Sequence, residues 1–303
     1  MLCDFAQAFP KFAGDLLDRE AELKRSFREE TLTDMWVSSL VPLKKYGVHV
    51  DLAIESETGG DLEIWFLSKT QDRGLAFIIQ AKRVHCQRAS PRPAPCKTKS
   101  WKTHSFPHLD YHGGTGRPKG SQADDLVNAF KNTGRNLYPL YAFYSPKHVC
   151  DNSGGSVKGV MLADGFAVRD RIVRGLSNGT RFKQVGSLQD LFFPLCKLFC
   201  VNSWKSISDI FENSDVRNNY LLLKLAAAGI EMLNIPDPED VRKSMAGAIS
   251  NSSSPERTKL LSVTRNIPSD IRRLVGGERQ YMDEKVHAEK CSRIVFVASN
   301  HPE

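Results

Sequence analysis

The chain has 303 residues, of which 41% are apolar and 25% charged, and this globular composition excludes a mainly disordered or fibrous chain. The length predicts about two domains or one large one. The chain has no apolar run long enough to span a membrane and no basic secretory leader, which predicts a soluble, cytoplasmic protein without a membrane partner. The net charge of +7 is moderate, so its distribution along the chain is more informative than its size.

The first part of the chain predicts a helix followed by three strands. Residues 15–45 carry apolar side chains at helical spacing, namely Leu32, Trp36, Leu40 and Leu43. The extended runs that follow are Val48–Glu55, Asp61–Ser68 and Leu75–Ala81. A polar turn that ends in glycine separates the last two runs, which predicts a hairpin.

A basic, proline-rich segment follows at about residues 83–120. From Lys82 to Lys119 the chain has nine Lys and Arg residues and one acid, so this stretch carries +8 and the rest of the chain −1. We expect a long irregular insertion with a polyanion partner, nucleic acid first, and a solvated surface loop is the alternative. The elements predicted beyond it are a helix at Ser121–Thr133 and strands at Leu137–Tyr144 and Val157–Ala163.

The second half of the chain has a mainly helical pattern. The predicted elements are helices at 188–201 and 207–233, a helix start at Ile235–Glu239, a linker at Asn251–Glu256 and a strand at Arg293–Ser299. We therefore predict a first domain at residues 1–180 and a mainly helical C-terminal domain of unknown role at residues 181–303.

Seven cysteines are scattered without a C-x-x-C pair, which predicts reduced thiols rather than a disulfide framework. Cys196 and Cys200 lie in an apolar stretch and are expected to pack in the core. A zinc site in the insertion is an alternative to solvated loop residues, although the ligand spacing is irregular; its candidates are Cys86, Cys96, His104, His108 and His112.

The predicted hairpin brings several polar side chains together. If opposing residues sum to 143, Asp61 faces Lys82 and Glu63 faces Gln80, so all four share one face of the sheet. Two carboxylates, the Gln80 amide oxygen and the Ala81 carbonyl are hard ligands suited to Mg²⁺ or Mn²⁺, and a lysine beside them can orient water. Cross-strand ion pairs on a solvated face are the alternative.

The preceding helix supplies a third acid. On a helical wheel Glu29 falls within the apolar stripe, whereas Glu30 falls outside it. A carboxylate on the inward face is costly without a partner, so Glu29 is the preferred metal-site acid and Glu30 is held in reserve.

These motifs resemble the PD-(D/E)xK nuclease superfamily, which has the restriction-endonuclease-like fold. The matching stretches look like an uncharacterised, mainly bacterial branch with E-x-L-T-D, G-x-D-x-E-x-W and Q-A-K-R motifs, and they are Glu29–Asp34, Gly59–Trp65, Gln80–Arg83 and Tyr138–Tyr144. The resemblance covers about residues 25–145 and implies an α/β fold with an αβββαβ core and a mixed sheet.

The resemblance also implies site residues. A divalent metal ion would be bound by Asp61, residue 80 and the Ala81 carbonyl, with Lys82 near the attacking water. Position 80 is Gln rather than Glu, and this change removes one negative charge. Gln122 corresponds to a supporting residue in related nucleases, although it is equally a plain helix-start residue.

We therefore predict a Mg²⁺- or Mn²⁺-dependent endonuclease that hydrolyses phosphodiester bonds, in DNA rather than RNA, and the resemblance suggests bacterial defence or DNA processing. Asp61, Gln80, Lys82 and Glu29 would be catalytic, and Glu63 would bind the metal or support its ligands. The expected phosphate contacts are Arg83, Arg88, Arg92, Lys97, Lys99, Lys102, Arg117 and Lys119. Rings available for base stacking are Trp101, His104, Phe106, Tyr111 and His112.

Two further hypotheses stay open. Gln80 also suits a catalytically silent nucleic-acid-binding or scaffold protein on the same fold. Residues 181–303 could instead regulate the first domain, through an activating partner or a homo-oligomer.

Overall fold

A computed structural model describes residues 2–20, 22–23, 26–54, 60–85, 100–111, 116–132, 134–179, 181–201, 235–277 and 290–298. In this part of the chain a seven-stranded mixed sheet has the order β1-β7-β2-β3-β4-β5-β6. Its strands are β1 Val48–Ile54, β2 Leu62–Leu67, β3 Gly74–Arg83, β4 Leu137–Tyr144, β5 Val160–Asp164, β6 Phe192–Pro194 and β7 Lys290–Val297.

Helices cover both faces of this sheet. The α-helices are α1 Leu2–Asp18, α2 Glu29–Leu40, α3 Ser121–Asn132, α4 Lys147–Asn152, α5 Gly165–Asn178, α6 Val185–Leu188, α7 Pro238–Ser252 and α8 Ser269–Val275. Short 3-10 helices are found at Val41–Tyr46, Trp101–Thr103, Gln189–Leu191, Leu195–Leu198 and Pro255–Leu260. None of the described helices is long and apolar enough to cross a membrane.

The central strands are buried on both faces. Every residue of β3 and β4 is buried, and these two strands run parallel, as expected for continuous apolar runs covered by helices. One face packs Phe66, Phe77 and Leu140 against α1, α2 and α7. The other face packs Ile78 and Tyr141 against α3 and α5. The sheet therefore divides the core into two layers of side chains.

The predicted strands of the first half are confirmed to within a few residues, as is the helix predicted from Ser121. The prediction of one helix over 15–45 is wrong, because α1 and α2 are separate helices. Between them Glu20 accepts a hydrogen bond from the backbone N–H of Phe27 at 2.6 Å, which holds the chain in a turn.

The helix predicted at 188–201 is also wrong. Phe192–Pro194 instead forms the edge strand β6, which suits Pro194 because proline has no N–H to donate within a helix. The helix start near residue 238 is confirmed, and Asp237 caps it by accepting a bond from the Glu239 N–H. The helix predicted at 207–233 lies outside the described residues.

The C-terminal strand changes the predicted domain division. β7 pairs antiparallel with β1 and parallel with β2, so the strand predicted at Arg293–Ser299 is present but lies inside the sheet of the first half. Helix α7 packs its Val241 and Met245 side chains into the same core. The described parts of residues 181–303 therefore share one sheet and one core with residues 1–180 instead of forming a helical unit of their own.

A disulfide joins Cys3 to Cys200, which corrects the prediction of reduced thiols and of a core Cys200. The Cα atoms of the two cysteines are 4.8 Å apart because the start of α1 packs against the turn near Cys200, where Phe5 contacts Phe199 edge to face. Cys196 is free and partly buried against the core, as predicted.

Candidate metal-dependent active site

A cavity of about 430 Å³ opens beside the ends of the central strands. It lies between α2, the start of α3 and the segment 100–111. Its lining is mostly polar and consists of Glu29, Glu30, Thr33, Asp34, Asp61, Gln80, Lys82, His108, Tyr111, Gln122 and Ser292.

Asp61 stands directly before β2 and is held by its own backbone. Its N–H donates to the Ile79 carbonyl at 3.0 Å, and its carbonyl accepts from the Ser292 N–H at 3.1 Å. Its Oδ2 accepts hydrogen bonds from the Gln80 side-chain amide and, at 2.6 Å, from the Ala81 N–H. The Asp61 carboxylate is therefore fixed against the end of β3.

The surroundings of Asp61 favour its protonated form. Burial raises the pKa of this carboxyl from 3.8 to about 6, although Lys82 and the Ala81 N–H act in the opposite direction. The nearby Glu29 and Glu30 raise the pKa further. The ionised form of Asp61 is therefore less favourable here than in an exposed carboxyl group.

The hairpin register differs from the predicted one by two residues. Leu62 faces Ile79 and Glu63 faces Ile78, so opposing residues sum to 141. The turn is centred one residue earlier because the Ser68 N–H bonds to the Arg73 carbonyl at 2.8 Å and Gln71 adopts a positive φ of 55°. A shift of two residues keeps every side chain on its predicted face, since side chains alternate with a period of two.

Lys82 and Gln122 meet inside the cavity. Lys82 is only 4% exposed, and its Nζ donates a hydrogen bond to Gln122 Oε1 at 2.7 Å. Gln122 lies in the first turn of α3, where the sequence places it. The bond places Gln122 beside the lysine of the Gln80–Arg83 stretch, a contact that the sequence analysis did not predict.

Gln80 offers an oxygen to the cavity. The residue is 2% exposed, and its Oε1 is buried with no hydrogen-bond partner among the described residues. An unpaired buried amide oxygen is costly, and a cation ligand position is one way to satisfy it. Ala81 takes part through its N–H, and its carbonyl is not among the groups that line the cavity.

Acids from α2 complete the cavity wall. Glu29 is partly buried and Glu30 is exposed, as the helical wheel predicts. Asp34 also lines the cavity and was missed as a site residue, although it lies four residues after Glu30 and so on the same helical face. Ser292 also lines the cavity and was not predicted. No local sequence pattern indicates it, because Ser292 reaches the cavity only through the pairing of β7 with β2.

The cavity has no cage of protein ligands for a metal ion among the described residues. Within the described ranges, no three Asp, Glu, His or Cys side chains are grouped closely enough to hold an ion by themselves. Mg²⁺ keeps several water ligands and commonly uses one or two carboxylates. Asp61 and the Gln80 amide oxygen, with Glu29 acting directly or through water, meet that requirement.

Glu63 belongs to a different cluster. Its Oε1 accepts from Trp65 Nε1 at 2.5 Å and its Oε2 from Arg293 at 2.9 Å, with Arg135 3.7 Å away. Asp270 pairs with both arginines. Glu63 is fully buried and does not line the cavity, so its placement differs from the predicted ligand or supporting role.

The predicted phosphate contacts divide into three groups. Arg83 is 7% exposed and forms a buried ion pair with Glu20, so the structure places this predicted phosphate contact away from the surface. Arg117 is exposed and pairs with Asp125 through two bonds of 2.7 Å, while Lys102 and Lys119 are exposed. The predicted contacts that lie outside the described residues are Arg88, Arg92, Lys97 and Lys99.

The residues predicted for zinc binding and for base stacking lie in different surroundings. His104 and Phe106 are buried, and burial lowers the pKa of His104 with His148 beside it. His108 and Tyr111 line the cavity, and Tyr111 is 43% exposed. Trp101 lies under the Lys102 ammonium. Three of the zinc candidates, Cys86, Cys96 and His112, lie outside the described residues.

Fold and site together define a mixed α/β protein with an acid-lined cavity at the ends of its central strands. The chain belongs to a family of unknown function, DUF6615, whose model matches residues 2–302. No curated protein and no solved structure matches the chain.

Proposed function

We propose that this protein is a Mg²⁺- or Mn²⁺-dependent nuclease that hydrolyses phosphodiester bonds in DNA. The observation that carries the proposal is the meeting of Asp61, Gln80, Lys82 and Glu29 at one cavity. These are the residues that the PD-(D/E)xK resemblance selects, and they come from two strands and a helix far apart in sequence. A solvated hairpin face would leave them exposed, whereas Gln80 and Lys82 are buried.

Each side chain has a distinct task in this proposal. Asp61 and Gln80 Oε1 would hold the metal ion, and Glu29 would bind it directly or through water. A bound divalent ion supplies an activated water and neutralises charge on the phosphate. Lys82, held by Gln122, would orient the attacking water and offset negative charge as it develops.

The order of elements supports the same reading. Along the chain α2, β1, β2, β3, α3 and β4 follow the αβββαβ order that the resemblance implies, with β2 and β3 antiparallel and β3 and β4 parallel. One departure is the strand β7, which separates β1 from β2. It extends the sheet beside Asp61 without disturbing the β2–β3 hairpin.

Nucleic acid is the polyanion that suits the surroundings. The exposed Tyr111 ring at the cavity offers a surface on which a base could stack, and Lys102 and Lys119 belong to the segment with a charge of +8. The preference for DNA, a role in defence or DNA processing, a cytoplasmic location, and an activating partner or homo-oligomer stay predictions.

A catalytically silent nucleic-acid-binding protein is the second candidate. The observation that favours it is the neutral Gln80, whose amide donates to Asp61 and so already satisfies part of that carboxylate without a metal. Such a protein would bind DNA through the basic segment and would show no Asp61-dependent affinity for Mn²⁺.

The test compares wild type, Lys82→Ala and the matched control Lys158→Ala on plasmid DNA with Mn²⁺ and then Mg²⁺; Lys158 is an exposed lysine outside the cavity and the basic segment. We expect wild type and Lys158→Ala to cut and Lys82→Ala to lose at least about 100-fold in rate while keeping its circular dichroism spectrum. Equal cutting by wild type and Lys82→Ala would refute the proposed site.

Salt-dependent DNA binding without cutting, together with Mn²⁺ binding that is independent of Asp61, would favour the silent protein. An enzyme that needs an activator would still bind Mn²⁺ through Asp61. Calorimetry with Asp61→Asn therefore separates these two cases.

A further inference from the structure

Arg83 follows Lys82 directly, yet its side chain turns away from the cavity. Its Nη1 lies 2.6 Å from Glu20 Oε1, and its Nη2 donates to Glu20 Oε2 at 2.9 Å. The side chains of Arg83 and Glu20 are only 7% and 9% exposed. This two-bond geometry fixes the relative position of the end of β3 and the chain after α1.

The Arg83–Glu20 pair also holds the chain that leads into α2. Glu20 Oε1 accepts from the Phe27 N–H at 2.6 Å, and Arg83 Nη1 donates to Ser26 Oγ at 3.1 Å. Only one residue separates Phe27 from Glu29, the first residue of α2. The residue before α2, Arg28, makes no capping bond with its side chain, so the position of the helix start depends on these outside contacts.

A second contact fixes the first turn of α2 at the neighbouring strand. Thr33 Oγ1 and the Tyr144 hydroxyl are hydrogen-bonded at 3.3 Å. Thr33 Oγ1 also donates a hydrogen bond to the Glu29 carbonyl at 3.0 Å. Tyr144 ends β4 and faces Arg83 in the parallel pairing. The ends of β3 and β4 therefore hold the acidic turn of α2 from two sides.

From this geometry we infer that Arg83 is a positioning residue, acting through Glu20 to place the Glu29 and Glu30 carboxylates opposite Asp61. The inference rests on the proposed function, since it assigns Arg83 to the same metal site. It makes Arg83 a support for the metal-site acids rather than a phosphate contact. Residues behind metal ligands typically change metal affinity by about 10-fold to 100-fold when they are replaced.

The test measures Mn²⁺ affinity by calorimetry for wild type, Glu29→Gln, Arg83→Lys and the double variant Glu20→Gln/Arg83→Gln. Arg83→Lys keeps the charge but loses the second bond, and the double variant leaves no unpaired buried charge, so at least one is expected to fold. We expect about 10-fold weaker Mn²⁺ binding in each of them.

A double-mutant cycle then distinguishes support from an independent role. If Arg83 acts by placing Glu29, the combination of Arg83→Lys and Glu29→Gln should bind Mn²⁺ within about two-fold of Glu29→Gln alone. The matched control is Asp164→Asn, a fully buried carboxylate paired with Arg257 outside the cavity, which should leave Mn²⁺ affinity unchanged.

Four results would overturn the inference. Wild-type Mn²⁺ affinity in both Arg83 variants would make the ion pair purely structural, and full additivity with Glu29→Gln would make its effect independent of that acid. Arg83 would be a phosphate ligand if Arg83→Lys lowered the slope of log K for DNA binding against log salt by about the amount of one phosphate contact. Wild type without Asp61-dependent Mn²⁺ binding would refute the proposed function and this inference with it.

Discussion

Replacing Asp61 by Asn is expected to stabilise the metal-free protein while it abolishes metal binding. The Asn carbonyl oxygen can accept the same two bonds from Gln80 and the Ala81 N–H that Asp61 Oδ2 accepts. The substitution removes a charge that burial and the neighbouring Glu29 and Glu30 make unfavourable. A binding site that is strained without its ligand commonly behaves in this way.

The size of the effect follows from the pKa of Asp61. This pKa rises from 3.8 to about 6 on folding, and each tenfold change in proton affinity corresponds to about 1.4 kcal/mol. Above pH 6 the ionised carboxyl therefore destabilises the native state by at most about 3 kcal/mol. This is an upper bound because Asp61 is partly exposed to solvent, which weakens the effect of burial.

The sign of the pH dependence is opposite to that of an ion-paired acid. Below about pH 4 Asp61 is protonated in both states and costs nothing. Between about pH 4 and pH 6 the native state keeps the proton that the unfolded state has lost, so wild-type stability falls as the pH rises. Asp61→Asn lacks this contribution, so its advantage should grow through this window and then level off.

The assay is urea unfolding of both proteins in EDTA at pH 4, 5, 6 and 8, followed by the same series with Mn²⁺. The control is Asp270→Asn, because Arg135 and Arg293 outweigh burial and lower the pKa of Asp270, so this substitution should destabilise above pH 4. Mn²⁺ should stabilise wild type and leave Asp61→Asn unchanged. An Asp61→Asn protein that is less stable than wild type in EDTA at pH 8 would refute this reasoning.

Three other substitutions test separate parts of the structure. Glu63→Ala should lower the free energy of unfolding by about 3–5 kcal/mol, because it removes one of the two acids that pair with the buried Arg293 guanidinium, and the Mn²⁺ affinity of the folded protein should not change; weaker Mn²⁺ binding would return Glu63 to the metal site. Gln80→Glu should reduce stability in EDTA, because it places a second carboxylate against Asp61. The same variant should bind Mn²⁺ more tightly in calorimetry, and unchanged Mn²⁺ affinity would exclude position 80 as a ligand. A reducing agent should lower wild-type stability by about 2–4 kcal/mol in urea unfolding and leave Cys3→Ser unaffected, whereas equal sensitivity of both would contradict the disulfide.

Local pattern alone predicts the elements that carry the candidate site. The aromatic run Leu137–Tyr144 is a strand with the predicted bounds, and the polar turn before Gly74 does join two antiparallel strands. The inward position of Glu29 relative to Glu30 follows from helical periodicity. These features depend on spacing within a few residues, which the sequence contains in full.

The hairpin shows where local pattern reaches its limit. Alternation determines which face a side chain takes, so Asp61, Gln80 and Lys82 share a face in either register. The partner of each residue depends instead on the turn, and Gln71 at positive φ shifts the pairing by two residues. Glu63 consequently lies opposite Ile78, and its carboxylate bonds to Arg293.

Contacts between distant segments follow from the assembled fold. Local periodicity is enough to predict the strands, the acidic start of α2 and the polar residues at the end of the hairpin. Strand β7 lies between β1 and β2 because residues more than 200 positions apart pair in one sheet. Arg83 is buried against Glu20 for a similar reason, although its segment resembles a basic surface loop in sequence. Neighbouring residues carry no record of such contacts, since burial and pairing are properties of the assembled core.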